Sequence, residues 1–363
     1  MPKVGVYVHI PFCLKKCAYC DFYSRPFRPL EIEAYLQALK QEIKRFKVEG
    51  YTLFIGGGTP SVVPPSLLAM LVENLNDAYG PFIESTVEVN PKTVDKDYLQ
   101  TLLAVGIDRL SIGVQSFNDE TLKAMGRVHN KKDAIETVLW AKEVGFNNIS
   151  IDLIYGYPHT NLQEVENMLK EAVNLPVDHI SYYGLQIEKG TELYNSEVSF
   201  LDDEEYVKMY YLGIDLLENY GFRHYEISNF AKDDKVSKHN LLYWHNLEYL
   251  GLGASAVSRI DRMRYHNISS IEAYIAKMKK DLSVREVDEV LTEEILLKEN
   301  IMLGLRLKEG VGPENLFGNT LNELYPKEVG LLMENGLLEK EDNRFKLSRK
   351  GLPLMNSVIS CFF

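Results

Sequence analysis

Three cysteines, Cys13, Cys17 and Cys20, fall within eight residues in the run Cys13-Leu14-Lys15-Lys16-Cys17-Ala18-Tyr19-Cys20, and the fourth cysteine of the chain, Cys361, lies at its far end. Four chemistries compete for such a cluster. A structural zinc site takes four ligands, usually as two separated pairs, and here the fourth would be Asp21 or His9. A thioredoxin-like pair would use Cys17 and Cys20 and leave Cys13 over. Three buried structural cysteines sit poorly on a loop with two adjacent lysines. A cubane iron–sulfur cluster with three thiolate ligands and one open iron uses all three thiols. Lys15 and Lys16 are expected to favour their deprotonated form.

A second set of residues is polar on otherwise apolar segments. Gly56-Gly57-Gly58-Thr59-Pro60 lets backbone approach a ligand closely, with a tight strand–helix turn as the simpler reading; no Lys-Ser/Thr follows, which disfavours a phosphate loop. Glu88 ends an apolar strand in Val87-Glu88-Val89-Asn90-Pro91. Gln115 follows Leu110-Ser111-Ile112-Gly113-Val114, and Arg127 comes twelve residues later. Asp152 interrupts Ile149–Leu153, and a carboxylate inside a buried strand is expensive without a partner.

The elements that must position these residues alternate along the chain. Val4–Ile10, Thr52–Ile55, Thr86–Val89, Arg109–Val114, Asn148–Leu153 and His179–Leu185 are expected to be buried strands. Between them Ile32, Tyr35, Leu36, Leu39, Ile43 and Phe46 form one helical stripe, and Asp95–Val105, Lys132–Val144 and Leu162–Val173 are further helices. This order predicts a parallel sheet with helical crossovers; periodicity leaves open whether it closes. The candidate residues would then collect at the C-terminal strand ends, as in β/α barrels. Past about residue 280 the pattern changes to a helix over Thr292–Arg306, a helix near Lys327–Asn335, a hairpin of Leu337–Glu339 with Phe345–Leu347, and a last helix from Pro353. The domains are accordingly placed at 1–280 and 281–363, the second a small α+β unit resembling a winged helix.

Composition bounds the function. With 363 residues the prior is one large domain plus a small one. Forty basic against 52 acidic residues give a net charge of −12, a sign that repels phosphate backbones, so nucleic acid is not an expected partner. No apolar run is long enough for a transmembrane helix, and Met1-Pro2-Lys3-Val4 runs into a strand-like segment without a signal-peptide pattern. A cytoplasmic protein is expected. The apolar tail Val358–Phe363 is expected to close the small domain, with weak membrane association or contact with a partner as the other reading.

Cys-x3-Cys-x2-Cys resembles the signature of the radical S-adenosylmethionine (SAM) superfamily. The resemblance implies a partial (β/α) barrel and a [4Fe–4S] cluster on Cys13, Cys17 and Cys20, whose open iron chelates SAM and whose electron yields a 5′-deoxyadenosyl radical. It implies SAM contacts at Tyr7, Tyr19, Gly57, Gly58, Thr59, Glu88, Gln115, Arg127 and Asp152. One arginine, two carboxylates and an amide complement the ammonium, carboxylate and ribose hydroxyls of SAM.

Tyr7–Cys13, Gly56–Ser61, Gln115–Asn118, Asp152–Gly156 and Met302–Arg306 narrow the resemblance, over essentially the whole chain, to the coproporphyrinogen-oxidase-like branch. That branch contains oxygen-independent coproporphyrinogen III oxidases, which decarboxylate two propionates, and HemW-type haem chaperones. The oxidases carry a further cysteine where this chain has Phe22, and a long segment before the cluster where this chain has twelve residues. Both departures argue against decarboxylation. His239-Asn240-Leu241-Leu242-Tyr243-Trp244 resembles the His-Asn-x-x-Tyr-Trp motif of the HemW type. The resemblance therefore implies haem as ligand, an acceptor protein and an electron donor as partners, and His239, Tyr243 and Trp244 as haem-contact candidates, with His245 and His266 as nearby competitors. An imidazole can ligate haem iron and aromatic rings pack on a porphyrin face.

Overall fold

The computed structural model describes residues 3–196, 198–199 and 201–363; Met1 and Pro2, part of the segment read as running into the first strand, lie outside the described residues. The six expected strands all form: β1 (Lys3–Ile10), β2 (Glu49–Gly57), β3 (Ser85–Val89), β4 (Arg109–Gln115), β5 (Ile149–Tyr155) and β6 (His179–Gly184). They pair in sequence order, parallel throughout. The crossovers are helical: Pro29–Ile43, Pro65–Tyr79, Lys96–Ala104, Lys131–Val144 and Leu162–Asn174. The first buries Ile32, Tyr35, Leu36, Leu39 and Ile43, the stripe that its spacing predicts. Side chains alternate across each strand, so Leu110, Ile112 and Val114 face the helices while Arg109, Ser111, Gly113 and Gln115 line an interior cavity.

Six more strands follow: β7 (Arg223–Glu226), β8 (Asn229–Ala231), β9 (Tyr249–Leu252), β10 (Val257–Ile260), β11 (Met263–Asn267) and β12 (Arg285–Val290). The twelve lie in the order β12-β11-β10-β9-β1-β2-β3-β4-β5-β6-β8-β7. β9 joins β1 in parallel, which makes seven parallel strands flanked by antiparallel ones. The sheet stays open, with β12 and β7 as its edges. It continues to Val290, past residue 280, where the sequence pattern put the domain boundary: Arg285–Val290 is too polar to read as a strand and pairs on one side only.

The C-terminal segment carries helices Glu293–Gly304, Leu321–Leu324, Pro326–Glu334 and Met355–Ser360 and a hairpin of Leu338–Glu341 with Arg344–Leu347. It bonds along the β7 edge, where Ile227 N–H donates to the Arg306 carbonyl at 3.0 Å and Lys308 N–H to the Tyr225 carbonyl at 3.1 Å. Of the apolar tail, Val358, Ile359 and Phe362 are buried and Phe362 meets Tyr325 edge-on, whereas Phe363 is exposed. No helix among the described residues is long and apolar enough to cross a membrane.

A buried carboxylate ties the first crossover helix to the far strands. Glu42 accepts from Tyr274 Oη at 2.6 Å, from Gly253 N–H at 2.8 Å and from Asn267 Nδ2 at 2.8 Å. Its burial is tolerated because three donors answer it. Glu42→Ala strands all three, and it is expected to destabilise the fold by about 2–4 kcal/mol, read as a lower urea midpoint at unchanged m-value.

Candidate functional site

The site begins at a seam between two backbones. β1 runs out into the cysteine loop and β2 into the glycine triplet, and the two chains bond directly: Gly58 N–H donates to the Ile10 carbonyl at 2.9 Å and Thr59 N–H to the Phe12 carbonyl at 2.8 Å. A Cβ on Gly58 would stand 2.7 Å from the Phe12 carbonyl oxygen and 3.0 Å from Cys13 Sγ, and Gly57 has φ of 116° with His9 behind it. The triplet is thus required first for seating the cysteine loop, whatever ligand it also meets. Arg25 N–H and Phe27 N–H donate to the Pro11 and Cys13 carbonyls on the other side.

Cys13, Cys17 and Cys20 all line one cavity of about 920 Å³. Thr59 Oγ1 donates to Cys13 Sγ at 3.5 Å and Arg127 Nη1 to Cys17 Sγ at 3.4 Å, donors suited to thiolate charge. Among the described residues no group of three metal-ligating side chains is placed to hold one ion. Three soft ligands spread round a space suit a polynuclear cluster. Of the two residues that could be a fourth zinc ligand, Asp21 lines the cavity and His9 is held by Tyr7 Oη at Nδ1 and by the Tyr23 carbonyl at Nε2. The expectation that the lysines favour thiolates fails at Cys20, which burial pushes up to about 11. Lys16 donates instead to the Phe22 carbonyl, so a metal has to displace the Cys20 proton.

Every SAM candidate lines the same cavity: Tyr7, Tyr19, Gly57, Gly58, Thr59, Glu88, Gln115, Arg127 and Asp152. Tyr7 also packs on Phe54, and Tyr19 on the apolar cluster of Met125, Tyr157, Leu185 and Leu193. Glu88 Oε2 accepts from Gly57 N–H at 3.1 Å. Burial and the Asp152 carboxylate together push Glu88 up to about 8. Asp152 stands mid-strand in β5, short of the C-terminal end where the sequence reading put it, and accepts from Ser111 Oγ at 3.2 Å and 3.3 Å. Burial raises its pKa too. Arg127 comes from a loop, and its Nη2 bonds both Asn90 Oδ1 at 2.8 Å and the Gly113 carbonyl at 2.6 Å. Gln115 reaches its place with a left-handed φ of 68°.

The haem-contact candidates His239, Tyr243 and Trp244 lie along the same cavity. His239 is 1% exposed. Its Nδ1 pairs with Thr52 Oγ1 at 2.8 Å and its Nε2 with Tyr243 Oη at 2.8 Å, and its ring stacks on Phe54. Both ring nitrogens are thus hydrogen-bonded to hydroxyls, and the imidazole links Thr52 to Tyr243. Burial holds its pKa down at about 3. Among the described residues Trp244 keeps a buried Nε1 without a partner, and the Arg306 guanidinium carbon lies 5.8 Å from its ring centroid. His245 and His266 do not line the cavity; they face Glu309 and Asp288.

Sequence reasoning missed part of the lining. Arg109, Ser181, Tyr183, Tyr206 and Tyr210 come from strands and a helix whose polar positions carry no motif, and Leu352, Pro353, Met355 and Asn356 from the C-terminal segment. The inward period of β4 would have flagged Arg109, and Arg306 closes the quoted Met302–Arg306 run.

Two outcomes are expected from this geometry. Gly58→Ala forces the seam apart, so iron and sulfide content after reconstitution should fall to a small fraction of wild type while far-ultraviolet circular dichroism is retained. Glu88 is a carboxyl with a raised folded pKa, so the folded ligand-free protein binds the extra proton between about pH 4.5 and 8. Its contribution to stability is present below that window and lost as pH rises through it. Glu88→Gln should flatten this part of the urea-midpoint profile.

Residues 7–172 match the radical SAM superfamily and residues 291–354 the HemN C-terminal domain. The chain is 36% identical to the heme chaperone HemW of Bacillus subtilis, over 99% of this chain and 98% of that one. It is 34% identical to the heme chaperone HemW of Lactococcus lactis, over 99% and 97%. The solved coproporphyrinogen III oxidase HemN of Escherichia coli superposes with a TM-score of 0.85 over 99% of this chain and 90% of that one, at 23% identity, a likeness of fold. Membership of the superfamily implies an iron–sulfur cluster and SAM, and the thiol loop and the polar set above suit them. By its identity along the whole length to these relatives, the chain belongs to the HemW family of the radical SAM superfamily.

Proposed function

We propose that the protein binds haem in this cavity and delivers it to an acceptor protein, with a [4Fe–4S] cluster and SAM as resident cofactors and an electron donor serving the cluster. The observation that carries the reading is one continuous cavity that runs from the three thiols to an aromatic wall. Its 920 Å³ lies at the upper end of the roughly 300–1,000 Å³ of small-molecule sites, room for more than a nucleoside cofactor. Phe54, Tyr155, Tyr183, Tyr206, Tyr210, Tyr243 and Trp244 line its remainder, flat surfaces suited to a macrocycle. The curated relatives named heme chaperones support the same reading.

In this reading Cys13, Cys17 and Cys20 hold the cluster. Glu88, Gln115, Arg127 and Asp152, with Tyr7, Tyr19 and the Gly57–Thr59 backbone, hold SAM. The bound pair supplies one-electron chemistry. Tyr243 and Trp244 meet the macrocycle, and His239 keeps Tyr243 in place. Phe22, 64% exposed at the cavity, stands where a decarboxylase carries a thiol. All four cysteines are free, which suits the reducing cytoplasm.

The test is an anaerobic assay of the reconstituted protein with SAM, reductant and coproporphyrinogen III, following decarboxylated porphyrin and 5′-deoxyadenosine, alongside a haem titration. The expected result is saturable haem binding and no decarboxylated porphyrin. Decarboxylation at a catalytic rate would replace this reading with that of a coproporphyrinogen III oxidase.

A further inference from the structure

The inner end of the cavity holds a cation that nothing in the protein answers. Arg109 opens β4, six residues before Gln115, hence about 20 Å back along the strand from it. It is 2% exposed and lines the cavity. Among the described residues its Nε has no partner, and no hydrogen bond or ion pair reaches its guanidinium. Asp152 feels its field without coming to ion-pair distance.

The two histidines beside it are already committed. His239 bonds Thr52 and Tyr243, and His179 repeats the arrangement, with Nδ1 on Ser150 Oγ at 2.7 Å and Nε2 on Tyr225 Oη at 2.8 Å. Two hydroxyl–histidine–tyrosine relays thus flank the guanidinium, and both imidazoles stay neutral through burial and its positive charge. A desolvated guanidinium without an anion is costly. The missing partner is an anionic acceptor that arrives through the cavity, and the planar fork suits a carboxylate.

We infer that Arg109 is the receptor for a carboxylate arm of the porphyrin bound in the cavity, an inference that rests on the haem reading above. The macrocycle would lie along the aromatic wall while one acidic arm reaches inward. Arg127 is engaged by the cysteine loop and by Asn90, and Arg306 lines the cavity from the C-terminal side. Arg306 shares an unpartnered Nε among the described residues but stands at the C-terminal wall over Trp244, so Arg109 is the free charge of the inner end.

The experiment titrates the reconstituted full chain with haem and with haem dimethyl ester, whose carboxylates are masked, following the Soret band. The wild type is expected to bind the ester about tenfold or more weaker than haem, the worth of one charge-assisted hydrogen-bonded pair. Arg109→Gln should weaken haem and bring the two ligands within about twofold; Arg306→Gln should keep the gap. Equal binding of haem and ester by the wild type would overturn the inference and leave the haem reading standing. No binding of either would overturn the haem reading itself. If Arg109→Gln fails to fold, Arg306→Gln still decides: loss of the gap there assigns the carboxylate to Arg306 and overturns the inference, and its retention supports Arg109. If Arg109→Gln loses SAM binding but keeps the haem-to-ester ratio, the carboxylate is that of SAM and the inference falls.

Discussion

The structure depends on the contact between two stretches of bare backbone, Ile10–Cys13 and Gly56–Thr59. The cysteine loop has no helix or strand of its own beyond the two-residue pairing of Phe12–Cys13 with Arg25–Pro26. Its course is set by the two hydrogen bonds from Gly58 and Thr59, and those require that position 58 carry no side chain. β1 and β2 are neighbours in the parallel sheet, so the seam continues the ladder past the strand ends. A rigid sheet thereby fixes three thiols on a loop, which is how a site becomes precise without being regular structure.

Above that seam the cavity gathers charge that water would otherwise solvate. Glu88 and Asp152 raise each other's cost of ionisation, Arg127 is pinned between a thiol and two carbonyl oxygens, and Arg109 waits at the inner end. A folded chain keeps such groups only where binding repays the desolvation. The distribution divides the cavity into an end beside the thiols and an inner end with aromatic walls and the unanswered Arg109.

The third wall is the C-terminal segment. Backbone pairing at the β7 edge carries Arg306 to the cavity, and the turn before the last helix adds Leu352, Pro353 and Met355. The segment's helices and hairpin stand on this side of the cavity. The apolar tail behaves accordingly, with its buried residues spent on closing that segment and Phe363 left outside.

The parallel strands and the first helices were legible in the sequence, because period-two burial and fixed spacings are local properties of the chain, and the nine SAM candidates, given by resemblance, fall along one cavity. So was the family, whose motifs are contiguous. Strands β7 to β12 were not: they are short or polar and are strands only because a neighbour's open edge pairs with them. Nor was the state of His239. Its type and motif suggested a haem contact, and only the fold brought Thr52, from a strand 187 residues away, to its Nδ1. The charge on Arg109 is written in the sequence. That no carboxylate meets it was decided by tertiary structure, since an ion pair is a matter of distance between segments that the chain order does not record.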